Sequence, residues 1–93
     1  MKNLTKIIFI LIILFAGTDA SGQLAKEYFT RGFGKYKLQN YTGAIEDYTK
    51  AIGVDPDYYE AYLVRGFTKE IIQDYTGALE DYSKALQLKP DYS

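Results

Sequence analysis

The chain has 93 residues, a formal net charge of −1, ten tyrosines, and neither histidine nor cysteine. This length holds at most one small domain. The missing residue types remove the usual general base at neutral pH, the usual thiol nucleophile, the best transition-metal ligands and every disulfide. We therefore predict no metal site and no cofactor. A balanced, slightly acidic charge provides no basic stripe for phosphates, so we also predict no nucleic-acid partner.

Residues 1–20 have the pattern of a secretory signal peptide. Two lysines precede an unbroken apolar run over residues 7–15, and small residues follow it. A positive start, a short apolar middle and a small-residue exit are typical of such a peptide, and a membrane-spanning helix needs roughly 20 apolar residues, about twice this run. We therefore expect cleavage near Ala20 or Gly22 and export to the periplasm or the extracellular space. The alternative is an uncleaved segment that contacts a membrane.

Four helices are predicted after this segment, because apolar residues recur at steps of three and four. They cover residues 24–38, 42–54, 58–72 and 76–88. Asn40 and Asp74 are placed to accept hydrogen bonds from free backbone amides at the start of the second and fourth helices. Asp57 and Glu60 have the spacing of a capping box at the start of the third helix.

The two helical pairs are copies of one another. Residues 25–58 and 59–92 are one 34-residue pattern written twice, with identity at 18 of the 34 positions. Self-similarity at a fixed period of this size indicates a stacked array, in which each unit covers the apolar face of its neighbour. Each copy has a glycine near the start of its second helix, Gly43 or Gly77. The glycine indicates either that another group approaches the backbone closely there or simply that the repeat was duplicated.

Helix, short turn, helix and proline at this period resemble the tetratricopeptide repeat. The matching residues are Tyr28, Gly32, Ala44, Tyr48, Ala51 and Pro56, then Tyr62, Gly66, Ala78, Tyr82, Ala85 and Pro90. The resemblance covers residues 25–92 and implies an all-α fold, two tandem helix-turn-helix repeats that form a short right-handed α-solenoid. The sequence departs from the family pattern at Arg31 and Arg65, where leucine is common, and at Lys35 and Lys69, where apolar residues are usual.

The recurring arginines have recurring acidic partners. We predict that Arg31 pairs with Asp47 and Arg65 with Asp81, because a pair built into the unit must appear in both copies. An exposed pair of this kind contributes about 0–1 kcal/mol. The alternative is that both arginines extend through solvent over an aromatic ring.

By resemblance to the family, the first helix of each repeat lines a concave groove. The predicted partner-binding residues are Phe29, Phe33, Tyr36, Lys37, Leu63, Phe67, Glu70 and Ile71. An aromatic-rich groove with few charges suits an extended peptide or a partner helix. The alternative is that some of these residues cover a neighbouring repeat. The positions where chaperone-binding members carry a carboxylate clamp hold Phe29, Phe33 and Val64, so that specificity is not predicted.

The predicted function is an exported, non-enzymatic protein–protein interaction scaffold. The adjacent carboxylates of Glu46 and Asp47, like those of Glu80 and Asp81, point about 100° apart on a helix and do not converge on one substrate. The alternative function is a short or truncated repeat array that mainly self-associates or stacks on further repeats. About three repeats with a polar capping helix are normally needed for stability, and Tyr92 at the exposed end favours this alternative.

Overall fold

A computed structural model describes the backbone of residues 2–90 and the side chains of residues 20–90. Between residues 2 and 90 the chain forms four helices and no strand. The helices are α1 (Lys2–Lys37), α2 (Tyr41–Val54), α3 (Tyr59–Ile71) and α4 (Tyr75–Leu88). The predicted all-α fold of two tandem helix-turn-helix repeats is thereby confirmed. Tyr92, with the end of the second repeat, lies outside the described residues.

Helix α1 is longer than the sequence periodicity predicts. It begins at Lys2 rather than near Leu24, and Ala20 and Gly22 both lie within it. No proline interrupts the chain between the apolar run and the first repeat, so the helical backbone hydrogen bonding continues through both segments. Over the described residues, none of the helices combines the length and the apolar character that crossing a membrane requires. Cleavage and export stay predictions.

The start of the second helix of each repeat has the predicted cap. Asn40 Oδ1 accepts a hydrogen bond from the Gly43 amide at 3.1 Å, and Asp74 Oδ1 accepts one from the Gly77 amide at 3.1 Å. A Cβ added to Gly43 would lie 2.5 Å from Asn40 Nδ2, and one on Gly77 would meet the Asp74 carboxylate in the same way. The repeated glycine therefore reflects a tight approach, because the capping side chain occupies the space of a Cβ.

The predicted capping box of the third helix is wrong. The residue before α3 is Tyr58, which makes no side-chain cap. Asp57 lies one residue too early, in a turn organised by Asp55, whose Oδ1 accepts from the Asp57 amide at 3.1 Å. The backbone oxygen of Asp55 also accepts from the Tyr58 amide at 3.2 Å. The turn that follows helix α2 therefore displaces Asp57 from the capping position.

Helix α2 packs against both α1 and α3, and α3 packs against α4. Small residues and tyrosines fill these contacts, since Ala44, Tyr48, Ala51, Ala61, Tyr62, Ala78 and Ala85 are all buried. A Cβ on Gly32 would lie 2.8 Å from Tyr48 Cε1, and a Cβ on Gly66 would lie 2.9 Å from Tyr82 Cε1. Each repeat therefore closes with the tyrosine ring of its second helix against a glycine of its first. Pro56 and Pro90 are exposed beyond the ends of α2 and α4.

Candidate functional site

An apolar pocket opens where the two repeats meet. We call it the inter-repeat pocket, and its volume is about 160 Å³. It is lined by Phe33, Tyr36, Tyr48, Val64, Phe67 and Thr68. Three helices contribute lining residues, because α2 lies between α1 and α3 and its buried side faces the pocket.

The rim of the inter-repeat pocket is aromatic. The Phe33 and Tyr36 rings are stacked with centroids 6.0 Å apart, and the Tyr36 and Phe67 ring centroids lie 6.3 Å apart. Phe33 and Phe67 occupy the same position of the two repeats and are 42 % and 50 % exposed. Two aromatic rings are therefore presented to solvent by consecutive first helices.

The buried side of the pocket carries two hydroxyl groups. The Thr68 hydroxyl donates to the Val64 backbone oxygen at 2.6 Å. Burial, with the nearby Tyr36 adding to it, raises the pKa of Tyr48 to about 12. The Tyr48 side chain is fully buried where it bounds the pocket.

The corresponding tyrosine of the second repeat is in a different environment. The Tyr82 hydroxyl donates to Glu70 Oε1 at 3.0 Å. Burial, reinforced by this bond to Glu70, raises the pKa of Tyr82 to about 12. The position that holds Glu70 in the second repeat holds Tyr36 in the first. Tyr48 therefore lacks the carboxylate acceptor that Tyr82 has.

The predicted partner-binding residues fall into three groups. Phe33, Tyr36 and Phe67 line the inter-repeat pocket, and Lys37 adjoins it with its Nζ 4.8 Å from the centre of the Phe33 ring. Ile71 is exposed on α3, and Glu70 accepts from Tyr82. The structure thus brings together half of the predicted set.

The other predicted residues pack inside the repeats. Phe29 is half-buried and stacks on Tyr58 with ring centroids 5.1 Å apart, so it contacts the linker between the repeats. Leu63 lines a separate small cavity between α3 and α4, with Tyr59 and Leu86. In these contacts Phe29 and Leu63 each pack within their own repeat, and not against the neighbouring repeat that the alternative names.

Sequence reasoning missed three residues that line the pocket. The repeat pattern predicts only a packing role for Tyr48 and no site role for Val64 or Thr68. One feature of the sequence could have indicated Thr68: its counterpart in the first repeat is Gly34, so the two copies differ at this position of the first helix. Such a difference indicates that the position lies on a surface that only one of the two repeats forms.

The predicted arginine–aspartate pairs are confirmed. Arg31 Nε and Nη2 donate to Asp47 Oδ2 and Oδ1 at 3.0 and 2.8 Å. Arg65 Nε and Nη2 donate to Asp81 Oδ2 and Oδ1 at 2.8 and 2.6 Å. Such bidentate pairs fix the planes of both groups and are stronger than single contacts. They join the two helices of each repeat.

Only the ring contact of the alternative is found, because both arginines are bound to an aspartate and the Arg65 side chain is 15 % exposed. The Arg31 guanidinium carbon lies 5.1 Å from the centre of the Tyr28 ring, and that of Arg65 lies 5.6 Å from the Tyr62 ring. Each guanidinium therefore pairs with a carboxylate through its edge and contacts an aromatic ring. A planar guanidinium can make both contacts because it presents an edge and a face separately.

A lysine completes each ion cluster. Lys35 Nζ lies 3.0 Å from Asp47 Oδ2, and Lys69 Nζ lies 3.2 Å from Asp81 Oδ2. This accounts for the departure from the family pattern at Lys35 and Lys69, because each lysine neutralises a buried carboxylate one helical turn after the arginine. We call these three-residue groups the ion clusters of the first and second repeat.

The ion cluster of the first repeat lowers an acidic pKa. The hydrogen bonds from Arg31, with Lys35 in support and burial opposing, lower the pKa of Asp47 to about 2. Asp47 is buried and doubly paired, so it has no catalytic geometry, and Glu46 beside it is exposed. In the part of the chain whose side chains are described, no three histidine, cysteine, aspartate or glutamate residues are grouped to hold a metal ion.

Comparison with known proteins identifies the repeated unit. A family model described as "TPR repeat" matches residues 35–70, and one described as "Tetratricopeptide repeat" matches residues 59–92. Together they cover residues 35–92, and the first spans the junction between the two copies.

Solved structures share the fold. Among 38 matching chains is that titled "Crystal structure of MamA", with a TM-score of 0.74 and 24 % sequence identity. The alignment covers 76 % of this chain and 42 % of the MamA chain, so this protein spans less than half of that relative's length. No curated protein matches the chain.

Proposed function

This chain belongs to the tetratricopeptide repeat family, and from that membership we propose that it is an exported, non-enzymatic scaffold that binds a peptide or a partner helix at the inter-repeat pocket. Repeats of this family generally mediate protein–protein interactions and are generally not catalytic.

The observation that carries the proposal is the aromatic rim of the inter-repeat pocket. Phe33 and Phe67 expose about half of their surface beside a cavity of about 160 Å³. Aromatic side chains around a small apolar pocket are the usual anchors of a protein interface. An apolar side chain that leaves water for such a pocket contributes about 1.5–3 kcal/mol.

A charged group beside the pocket defines the ligand further. Lys37 places a positive charge against the Phe33 ring. A matching ligand carries a large apolar side chain next to an acidic group. Such a segment is recognised equally as an extended strand or as one face of a helix.

The binding proposal is tested with a library of peptides displayed against the purified chain. Peptides recovered with an apolar residue beside an acidic one would support it. Phe67→Ala should weaken binding of these peptides by about ten-fold, measured by fluorescence anisotropy, because a rim ring is lost. The matched control is Leu38→Ala, which removes an exposed apolar side chain after α1, outside the pocket. Equal affinity of both variants would contradict the assignment of the pocket.

Export is tested independently of binding. The proposal rests on the signal-peptide pattern of residues 1–20 and predicts a mature protein that begins at Ser21 or Gln23. The measurement is the mass and N-terminal sequence of the protein recovered from the periplasm or the medium of an expressing cell. Retention of the intact chain inside the cell would contradict export and leave the binding proposal unaffected.

A further inference from the structure

The two first helices carry opposite charges beside the inter-repeat pocket. Lys26 of the first repeat is replaced by Glu60 at the corresponding position of the second. Closer to the C-terminus of each helix, Lys37 belongs to the first repeat, and Glu70 lies one residue before the counterpart of Lys37. Lys26, Lys37 and Glu70 are exposed, and Glu60 is half-buried. We call these four side chains the rim charges.

On α1 both lysines lie on the side of the Phe33 ring. Lys26 precedes Phe33 by seven residues and Lys37 follows it by four, so all three share one face of the helix. Lys37 Nζ is 4.8 Å from the centre of the Phe33 ring. Around the helix axis Phe33 lies between Lys37 and Tyr36, because successive residues are rotated by about 100°. The first-repeat side of the aromatic rim is therefore positive.

On α3 both glutamates lie on the side of the Phe67 ring. Glu60 precedes Phe67 by seven residues and Glu70 follows it by three. Thr68, which lines the pocket, lies on the other side of Phe67 from Glu70 around the axis. Glu70 is turned towards α4, where its Oε1 accepts from the Tyr82 hydroxyl at 3.0 Å. The second-repeat side of the rim is therefore negative.

The rim charges are not neutralised within the protein. Each cation of the two ion clusters is bound to an aspartate. In the part of the chain whose side chains are described, no salt bridge includes a rim charge. Glu70 accepts one hydrogen bond from Tyr82, and a carboxylate can accept several more. All four charges are therefore available to a ligand at the pocket.

We propose that the ligand of the inter-repeat pocket is a peptide segment whose apolar anchor has an acidic residue on one side and a basic residue on the other. The acidic residue lies over α1, beside the two lysines, and the basic residue lies over α3, beside the two glutamates. This inference rests on the proposed binding at the pocket and adds the order of charges in the ligand. Complementary charges fix the orientation of a partner and reject partners that bring like charges together.

The first test is a displayed peptide library in which an apolar residue is fixed at the centre and both flanks are random. Peptides recovered on the purified full chain should carry an acidic residue on one flank and a basic residue on the other. Recovered peptides that lose affinity with Phe67→Ala but show no such pattern would overturn this inference and leave the pocket binding intact. Recovery of no peptide would contradict the binding itself, and this inference with it.

A charge exchange tests the assignment of the two flanks to the two helices. Lys37→Glu and Glu70→Lys should each weaken binding of a recovered peptide by about ten-fold, because like charges then face one another. The double variant should instead prefer the same peptide with its acidic and basic residues exchanged, measured by fluorescence anisotropy. An unchanged preference would overturn the proposal.

The matched control for the charge exchange is Lys84→Glu. It makes the same change of charge at an exposed position of α4, outside the pocket, and should leave the affinity unchanged. Far-ultraviolet circular dichroism of every variant checks that the helices remain folded. A loss of affinity in Lys84→Glu equal to that in Lys37→Glu would show that only the net charge matters, and the proposed order of charges would be wrong.

A second copy of the chain is the competing occupant, because it carries the same two signs of charge. Sedimentation equilibrium of the full chain distinguishes it from a peptide, and we expect a monomer. A dimer that dissociates in Lys37→Glu and in Glu70→Lys but forms again in the double variant would show that the rim charges pair between copies. The peptide proposal would then be wrong.

Discussion

The ion clusters of the two repeats have the same residues and the same internal contacts but different exposure. The Arg31 side chain is 54 % exposed and that of Arg65 is 15 % exposed. The difference comes from the neighbouring repeat, because Arg65 Nη1 also donates to Thr49 Oγ1 of α2 at 3.2 Å. No repeat precedes Arg31 in the described structure to do the same. Identical residues therefore differ in burial according to what stacks against them.

The lysines follow the same trend. The Lys35 side chain is 35 % exposed, whereas that of Lys69 is 18 % exposed. Both aspartates are buried in their clusters. The first cluster is thus a buried carboxylate with solvated cations, and the second is an ion group enclosed on several sides. This contrast leads to different costs for the same substitution.

Removal of the aspartate carboxylate should cause the largest loss of stability, and the size of the loss should differ between the two ion clusters. Asp81→Ala should lower the free energy of unfolding by about 3 kcal/mol, because Arg65 and Lys69 are left in a partly enclosed site. Asp47→Ala should cost about 1–2 kcal/mol, since Arg31 and Lys35 turn to water more easily. Urea unfolding followed by circular dichroism measures both. Equal costs would show that the neighbouring repeat does not affect the clusters.

The low pKa of Asp47 provides a pH test of the first cluster. Its folded-state value, about 2, lies below the ordinary value of 3.8. The stability that this carboxylate contributes is therefore fully present above the ordinary value and is lost as the pH falls towards 2. The loss should amount to about 2 kcal/mol and should be missing in Asp47→Asn. The prediction is contradicted if the free energies of unfolding of the wild-type protein and of Asp47→Asn change in parallel between pH 4 and pH 2.

The close helix approach gives the next prediction. Gly32→Ala should destabilise the protein by about 2 kcal/mol, because the new Cβ meets the buried Tyr48 ring. Gly34→Ala is the matched control two residues later on the same helix, where nothing lies within 4 Å of an added Cβ. It should stabilise the protein by about 0.5–1 kcal/mol. Thermal unfolding compares them, and the expectation fails if the two variants shift the midpoint in the same direction.

The smallest predicted effect distinguishes the corresponding tyrosines of the two repeats, Tyr48 and Tyr82. Tyr82→Phe removes the hydrogen bond to Glu70 and should cost about 1 kcal/mol. Tyr48→Phe should cost less, because its position in the first repeat faces Tyr36 instead of a carboxylate. Denaturant midpoints of the two variants provide the comparison. A larger cost for Tyr48→Phe would indicate that this hydroxyl already has a strong partner inside the protein.

Recurrence made part of this structure predictable. Arg31 pairs with Asp47 and Arg65 with Asp81 across the same 16 residues, and duplication of both partners was enough to identify the pairs. The helix caps at Asn40 and Asp74 followed from local chemistry, because either side chain has an oxygen that accepts from the corresponding backbone amide. The capping box at Asp57 did not, because the preceding turn shifts that residue by one position, which spacing alone does not reveal.

The candidate site was only partly predictable. The rim residues Phe33 and Phe67 follow from their position on the first helix of each repeat. The placement of Phe29 against Tyr58, and of Leu63 against α4, depends on how the helices cross. Periodicity identifies the face of a helix, but it does not tell which neighbouring element covers that face.

The 34-residue period, the glycines and alanines of the helix crossings and the capped turns were all encoded locally, since each depends on backbone geometry within one repeat. Burial was decided by the tertiary structure. Leu79 and Leu86 of α4 are exposed, whereas their counterparts Ile45 and Ile52 of α2 are half-buried. The arginine of the ion cluster is exposed in the first repeat and enclosed in the second. The reason is that water is excluded from a residue by the elements stacked on it, and in a repeat protein those elements come from the neighbouring unit.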